Sequence, residues 1–210
     1  MLPDYLEMGL DVVFCGINPG YTSAEIGHHY AHSTNHFWLG LHESGLTDVL
    51  VPPEEDYTLP AKYNFGLTNL VDRPTAEQSE LGADEMRQSV PALMTKLARY
   101  RPRIVCFLSK GIWEVFLREA YRLASPHTPA SPATGPVQTQ PISLSTSPGC
   151  TKPVNRAGTT SSVKETLLFV VPSPSARVVA YQWWDKVAFF RRLHDLVREV
   201  QAGSVDTSEF

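Results

Sequence analysis

Short, almost unbroken apolar runs, each closed by turn residues and separated by helical patterns, constrain this chain's fold more than any other feature. "VVFC" (Val12 to Cys15) opens into "GINPG". "RPRIVCFLSKG" holds a second run, Ile104 to Leu108, behind a Pro turn, and "ETLLFVVPSPSAR" a third, Thr166 to Val171, stopped by Pro172. Runs of this length bounded by Gly, Pro and Ser read as strands buried on both faces.

Between them lie helical periods. Met86, Val90, Leu93, Met94 and Leu97 form one stripe of an amphipathic helix over Ala83 to Tyr100, with Pro91 as a point of kinking. A second helix is predicted over Ile112 to Leu123. A last one, Trp184 to Val200, sets Trp184, Val187, Phe190, Leu193, Val197 and Val200 on one face that reads as core. Asn35 to Leu41 looks like a helix start, and Tyr63 to Thr75 reads as loop and strand-edge material ended by Pro74. Alternating strands and helices, with apolar strands throughout, predict an α/β fold. The expected architecture has three layers: a central, mostly parallel twisted sheet with helices on both faces.

The 210 residues suit a single domain over 1–210. One stretch breaks the rhythm: 125–162 is rich in Pro, Ser, Thr and Gly and reads as a low-complexity, disordered insertion between the second helix and the third strand. Hydrophobic content of 42% with 19% charged residues excludes a disordered chain as a whole. No apolar run approaches the ~20 residues of a membrane span, so no membrane partner is expected. The N-terminus lacks a basic leader, so secretion is not expected. Three cysteines make no disulfide framework; Cys15 and Cys106 read as buried, Cys150 as part of a polar loop, and the compartment as reducing, cytosol or nucleus.

Net charge of −4 argues only weakly against a nucleic-acid partner, because the charge is unevenly spread. No Lys or Arg precedes Lys62, whereas Lys96, Arg99, Arg101, Arg103, Lys110, Arg118 and Arg122 cluster with only Glu114 and Glu119 among them. A basic face can exist on an acidic protein. The same cluster also reads as an ordinary solvated helix face.

In open α/β sheets, ligands bind beyond the carboxyl ends of the strands. "GINPG" and "VPSPSAR" fall there, and each reads either as a ligand loop or as a plain turn. The first lacks the G-x-G-x-x-G spacing of dinucleotide sites, and no helix is evident after it. Its conspicuous side chain is the amide of Asn18, with no carboxylate between Glu25 and Trp38. His28, His32 and His36 share a spacing that suits a zinc face, but "HHYAHSTNH" is a poor helix and lacks Cys or carboxylate partners. No metal or other cofactor is expected.

Taken in order, "VVFCGINPG", "GHHY", "NHFW", "SGLT", "TNLVDRPT" and "VPSPSAR" resemble the thymine-DNA glycosylases and their bacterial relatives, the mismatch-specific uracil-DNA glycosylases. The likeness runs from Asp11 to Val200 outside the insertion. It implies the uracil-DNA glycosylase-like fold and a monofunctional glycosylase. Such an enzyme flips a mispaired or damaged pyrimidine, uracil or thymine opposite guanine, and hydrolyses its N-glycosidic bond to leave an abasic site in base excision repair. The implied partner is double-stranded DNA with a G·U or G·T mismatch, the implied compartment the nucleus, and the expected state a monomer.

The resemblance also assigns roles. Asn18 positions the attacking water and Thr75 assists it. Ile17, Ser23, His29, Tyr30 and Asn69 line the base pocket, with Tyr30 stacking on the flipped base and Ser23 and His29 meeting the pyrimidine 5-position. Asn35 and Lys110 approach backbone phosphates. Ser173 binds the phosphate beside the flipped nucleotide. Pro174, Ser175 and Ala176 carry the wedge, Arg177, into the vacated stack. The chain departs from the family pattern at Pro174, where serine is usual, at Ser23, where a small apolar residue is usual, and at Leu108–Ser109, where an asparagine-glycine pair is usual. A non-catalytic reader of mismatched or modified DNA is the competing reading. A nucleoside hydrolase is a third, and it would have no need of a wedge.

Overall fold

Successive residues of a strand face opposite sides of its sheet, and in the computed structural model this alternation sorts the apolar runs into two cores. The structure describes residues 2–124, 150–155 and 165–205. The elements run β1 (Val12–Gly16), α1 (Tyr21–Ile26), α2 (Phe37–Glu43), α3 (Leu59–Tyr63), β2 (Phe65–Asn69), α4 (Ala83–Tyr100), β3 (Ile104–Phe107), α5 (Lys110–Ala124), β4 (Cys150–Asn155), β5 (Glu165–Val170) and α6 (Trp183–Ala202). The sheet order is β2-β1-β3-β5-β4. The first four of these strands are parallel, and β4 joins β5 antiparallel.

Val12 and Phe14, Phe65 and Leu67, Ile104 and Cys106, and Leu167 and Phe169 point to one face. There they meet Phe37, Trp38 and Leu41 of α2, Leu59 of α3, and Phe190, Leu193 and Val197 of α6. Cys15, Val105, Phe107 and Leu168 point to the other, against Val90 and Leu93 of α4 and Ile112, Trp113 and Phe116 of α5. The three-layer α/β architecture is as the strand and helix patterning implies. Because both faces are covered, β1 and β3 carry apolar residues on both faces instead of at every second position.

Several local expectations are corrected. The Tyr63–Thr75 stretch is more than strand-edge: Phe65–Asn69 is a wholly buried parallel strand in register with β1, Phe65 opposite Val12 and Asn69 opposite Gly16. Gly66 and polar Thr68 and Asn69 hid it, since strand patterning is read from apolar runs. A helix does follow "GINPG": α1, one and a half turns with no side-chain cap. Trp184 is 67% exposed, although α6 buries Val187, Phe190, Leu193 and Val197 as expected. It stands in the first turn of the helix, beyond the edge of the stripe. α4 runs through Pro91 as one helix; Pro91 is exposed, so the carbonyl it deprives of a partner one turn back faces solvent. Cys150 opens β4 instead of lying in a polar loop. That strand falls inside the 125–162 stretch, whose other residues lie outside the described ones.

Candidate active site

The carboxyl ends of β1, β2 and β5 release three loops into one cleft of about 620 Å³. All the residues to which the resemblance assigns a role line it except Lys110: Ile17, Asn18, Ser23, His29, Tyr30, Asn35, Asn69, Thr75, and the run Ser173 to Arg177. Lys110, at the start of α5, is exposed and pairs with Glu114 at 3.5 Å.

The loops after β1 and β2 continue side by side past the end of the sheet. Leu70 N–H donates to the Gly16 carbonyl at 2.9 Å, Val71 N–H to Ile17 at 2.8 Å, and Thr75 N–H to Pro19 at 3.1 Å. This ladder sets Asn18 facing the second loop. Its Nδ2 donates to the Arg73 carbonyl and to Thr75 Oγ1, both at 2.8 Å. Both amide hydrogens are then used, and Oδ1 remains as a fixed acceptor. Such an oxygen orients a water through one of its hydrogens but cannot remove a proton. Thr75 Oγ1, having accepted from Asn18, keeps its own hydrogen to donate.

Gly16 is the floor of the pocket. A Cβ there would stand 2.5 Å from Asn69 Oδ1 and 2.8 Å from the Tyr30 hydroxyl, so only glycine admits both groups. Tyr30 adopts a left-handed backbone, φ 53°, which side chains other than Gly rarely take. Its ring lies against Phe37 with centroids 4.1 Å apart, and its buried hydroxyl has no hydrogen-bond partner among the described residues. Burial pushes that phenol well up, so it stays neutral.

One buried carboxylate organises the histidine segment. Asp56 accepts from His29 N–H at 2.8 Å and faces His28 Nδ1 at 3.1 Å. His29 is itself buried, and its Nε2 donates to the Pro3 carbonyl at 2.8 Å. A carbonyl only accepts, so Nε2 holds the proton and Nδ1 is an acceptor. Burial lowers this imidazole's pKa below its ordinary value, which keeps it neutral. Burial, with Asp56 beside it, raises the Tyr5 phenol to about 12. Ser23 Oγ accepts from Ala31 N–H at 3.0 Å, which fixes the hydroxyl on the cleft wall. His28, His29, His32 and His36 find separate partners in Asp56, Pro3, Thr34 and Trp183.

The third loop, after β5, forms the opposite lip. Asn35 lies below it, with Oδ1 accepting from Phe37 N–H at 2.9 Å at the entry to α2. Ser173 Oγ accepts from Ser175 N–H at 3.3 Å. Arg177, two-thirds exposed, reaches across to the Ala76 carbonyl at 2.8 Å and to Glu77 Oε1 at 3.5 Å. Glu77, an exposed residue, is the one carboxylate among the described lining residues.

Sequence reasoning missed Asp56, because it sits in an acidic run with no pattern around it. It also missed Lys186, which is 1% exposed with Nζ donating to the Ser175 carbonyl at 2.8 Å. Here a signal existed: Lys186 falls in helical register with Phe190, Leu193 and Val197, inside the apolar stripe.

An amide held rigid at the carboxyl end of a parallel sheet, in a cleft where Glu77 is the one carboxylate and no metal-ligand cluster lies among the described residues, defines the class of the site: a ligand cleft at the strand ends of an open α/β sheet. The model of the uracil DNA glycosylase superfamily matches residues 3–196, and the chain belongs to that superfamily. With membership come DNA as substrate, DNA glycosylase activity and a place in base excision repair. No helix among the described residues is long and apolar enough to cross a membrane.

Proposed function

We propose that this chain is a monofunctional, mismatch-directed glycosylase of the thymine/uracil type, acting as a monomer in the nucleus on pyrimidines opposite guanine. The observation that carries the reading is Asn18, whose amide is tied to Thr75 and Arg73 with one acceptor left over.

The chemistry follows from that acceptor. As the glycosidic bond stretches, the sugar becomes oxocarbenium-like and the base departs as an anion. Neutral water suffices against such a cation when it is held in line, and the proton it sheds on forming the new C–O bond neutralises the departing base anion. Asn18 Oδ1 holds it, and Thr75 holds Asn18. Tyr30 offers its face to the extruded base, Asn69 meets the polar edge of the pyrimidine, and Ile17 closes the pocket beside them. Ser23 and the neutral His29 flank the 5-position and set how well a methyl group is tolerated. On the other lip, Ser173 takes the neighbouring phosphate, and Pro174 to Ala176 present Arg177 to the vacated stack, which offsets part of the unstacking cost. Asn35 contacts backbone phosphate. Lys110 contributes charge at the margin.

Single-turnover cleavage of labelled duplexes carrying G·U, G·T or A·U pairs tests this reading. The G·U duplex should give alkali-sensitive breaks faster than A·U. Asn18→Ala should lose about 100-fold or more in rate, with duplex affinity nearly unchanged. A protein that binds the G·U duplex and cuts none of the three would instead be a reader of mismatched DNA.

A further inference from the structure

Lys186 is a buried cation that forms no ion pair among the described residues. The one hydrogen bond of its ammonium among the described residues goes to the Ser175 carbonyl at 2.8 Å, in the loop after β5. One residue earlier, the Pro174 carbonyl is held at 2.9 Å by the main-chain N–H of His36. Two successive carbonyls are therefore drawn toward the protein interior.

A trans peptide points its N–H opposite to its C=O, and no cis bond occurs in the described chain. Anchoring the Pro174 and Ser175 carbonyls inward thus turns the N–H groups of Ser175 and Ala176 outward, toward the cleft that both residues line. Ser175 N–H leans on Ser173 Oγ at 3.3 Å, and Ala176 N–H takes no protein partner among the described residues. Consecutive outward amides flanked by serine hydroxyls make a concavity suited to an anion. A buried ammonium without a carboxylate is costly until a counter-charge arrives.

We infer that Lys186 is a positioning residue for DNA: it clamps the Ser173–Arg177 loop by the Ser175 carbonyl so that the loop's amides cradle a backbone phosphate, and its charge is answered by that phosphate. The inference rests on the DNA glycosylase reading above and deepens it. Burial lowers the pKa of the Lys186 ammonium, in keeping with a cation that lacks its counter-ion in the free protein.

The test uses the full chain and a fluorescent duplex bearing a stable abasic-site analogue opposite guanine, titrated across a series of KCl concentrations, with thermal melting alongside. Lys186→Met removes the charge and keeps the length of the side chain. It should melt no lower than the native protein, since an unpaired buried charge has been replaced by an apolar group. It should nevertheless bind about tenfold more weakly, with a slope of log K against log salt smaller by about one. Lys186→Arg should keep the native slope, and Lys186→Gln serves the same comparison as the Met variant if that variant does not fold. A folded, neutral variant with native affinity and native salt slope overturns the inference. Native protein that neither binds nor cleaves a G·U duplex would sink the glycosylase reading itself, a result the Lys186 variants cannot produce.

Discussion

Asn18 Nδ2 and Thr75 Oγ1 lie 2.8 Å apart, across 57 residues of chain. The contact exists because β1 and β2 are parallel neighbours whose loops keep pairing beyond the sheet, as far as a bridge between Gly20 and Thr75. The amide's orientation is thus settled by the fold before any substrate arrives.

Thr75 should therefore matter through Asn18. Thr75→Val removes one of the two acceptors that hold Nδ2 and leaves the amide on the Arg73 carbonyl alone, and single-turnover cleavage should slow about 10- to 100-fold. Thr75→Ser keeps the oxygen and should stay within a few-fold of native. Equal rates for the two variants would show that the hydroxyl does not hold the amide.

Gly16→Ala places a methyl 2.5 Å from Asn69 Oδ1 and 2.8 Å from the Tyr30 hydroxyl. Neither group can retreat easily, since Asn69 is buried at the end of β2 and the Tyr30 hydroxyl is itself enclosed. Overpacking of this kind costs about 1–3 kcal/mol, readable as a lower urea midpoint. Cleavage should fall further than stability, because the displaced groups line the cleft and are proposed to hold the base.

His29 should give the protein a measurable acid sensitivity. Burial depresses its folded-state pKa below the ordinary 6.5, so the unfolded chain binds the proton more tightly. The stabilisation is present above about pH 6.5 and is lost as pH falls through the folded pKa. Between those values the native protein should lose stability more steeply than His29→Gln, by at most about 1.4 kcal/mol per pH unit. Parallel urea-midpoint curves for the two proteins from pH 7 to 5 would refute this; pH values here are set by the ordinary imidazole range.

Arg177→Ala separates wedging from chemistry. Uracil in duplex DNA should be cut about tenfold or more slowly, as part of the unstacking cost of a few kcal/mol goes unmet. Uracil in a single strand should be cut at the native rate. An equal loss on both substrates would assign Arg177 to the pocket and not to the stack.

Much of this was legible in the sequence, for particular reasons. Val12–Cys15 and Ile104–Leu108 announce buried parallel strands because they are apolar at every position. Asn18 and the Ser173–Arg177 run stand out because turn residues follow a strand at the end where α/β sites lie. β2 was harder: Gly66, Thr68 and Asn69 are polar or small, and what makes them a strand is hydrogen bonding to β1, a non-local fact. Asp56 was invisible for the same reason, since its partners His28 and His29 lie 28 and 27 residues away. Lys110 stood out by charge, yet charge alone says nothing of direction, and it pairs along its own helix.

The placement of β5 has a mechanical consequence. Prying a base from a stack returns an equal and opposite push to the lever. The strand that leads into the Arg177 loop is not a free edge: β3 grips it on one side and β4 on the other, so a thrust along it is resisted by hydrogen bonds loaded in shear on both flanks. In the proposed wedge role, the recoil of base opening is thereby spread through the sheet, and Arg177 passes part of it directly to the Ala76 carbonyl, next to Thr75.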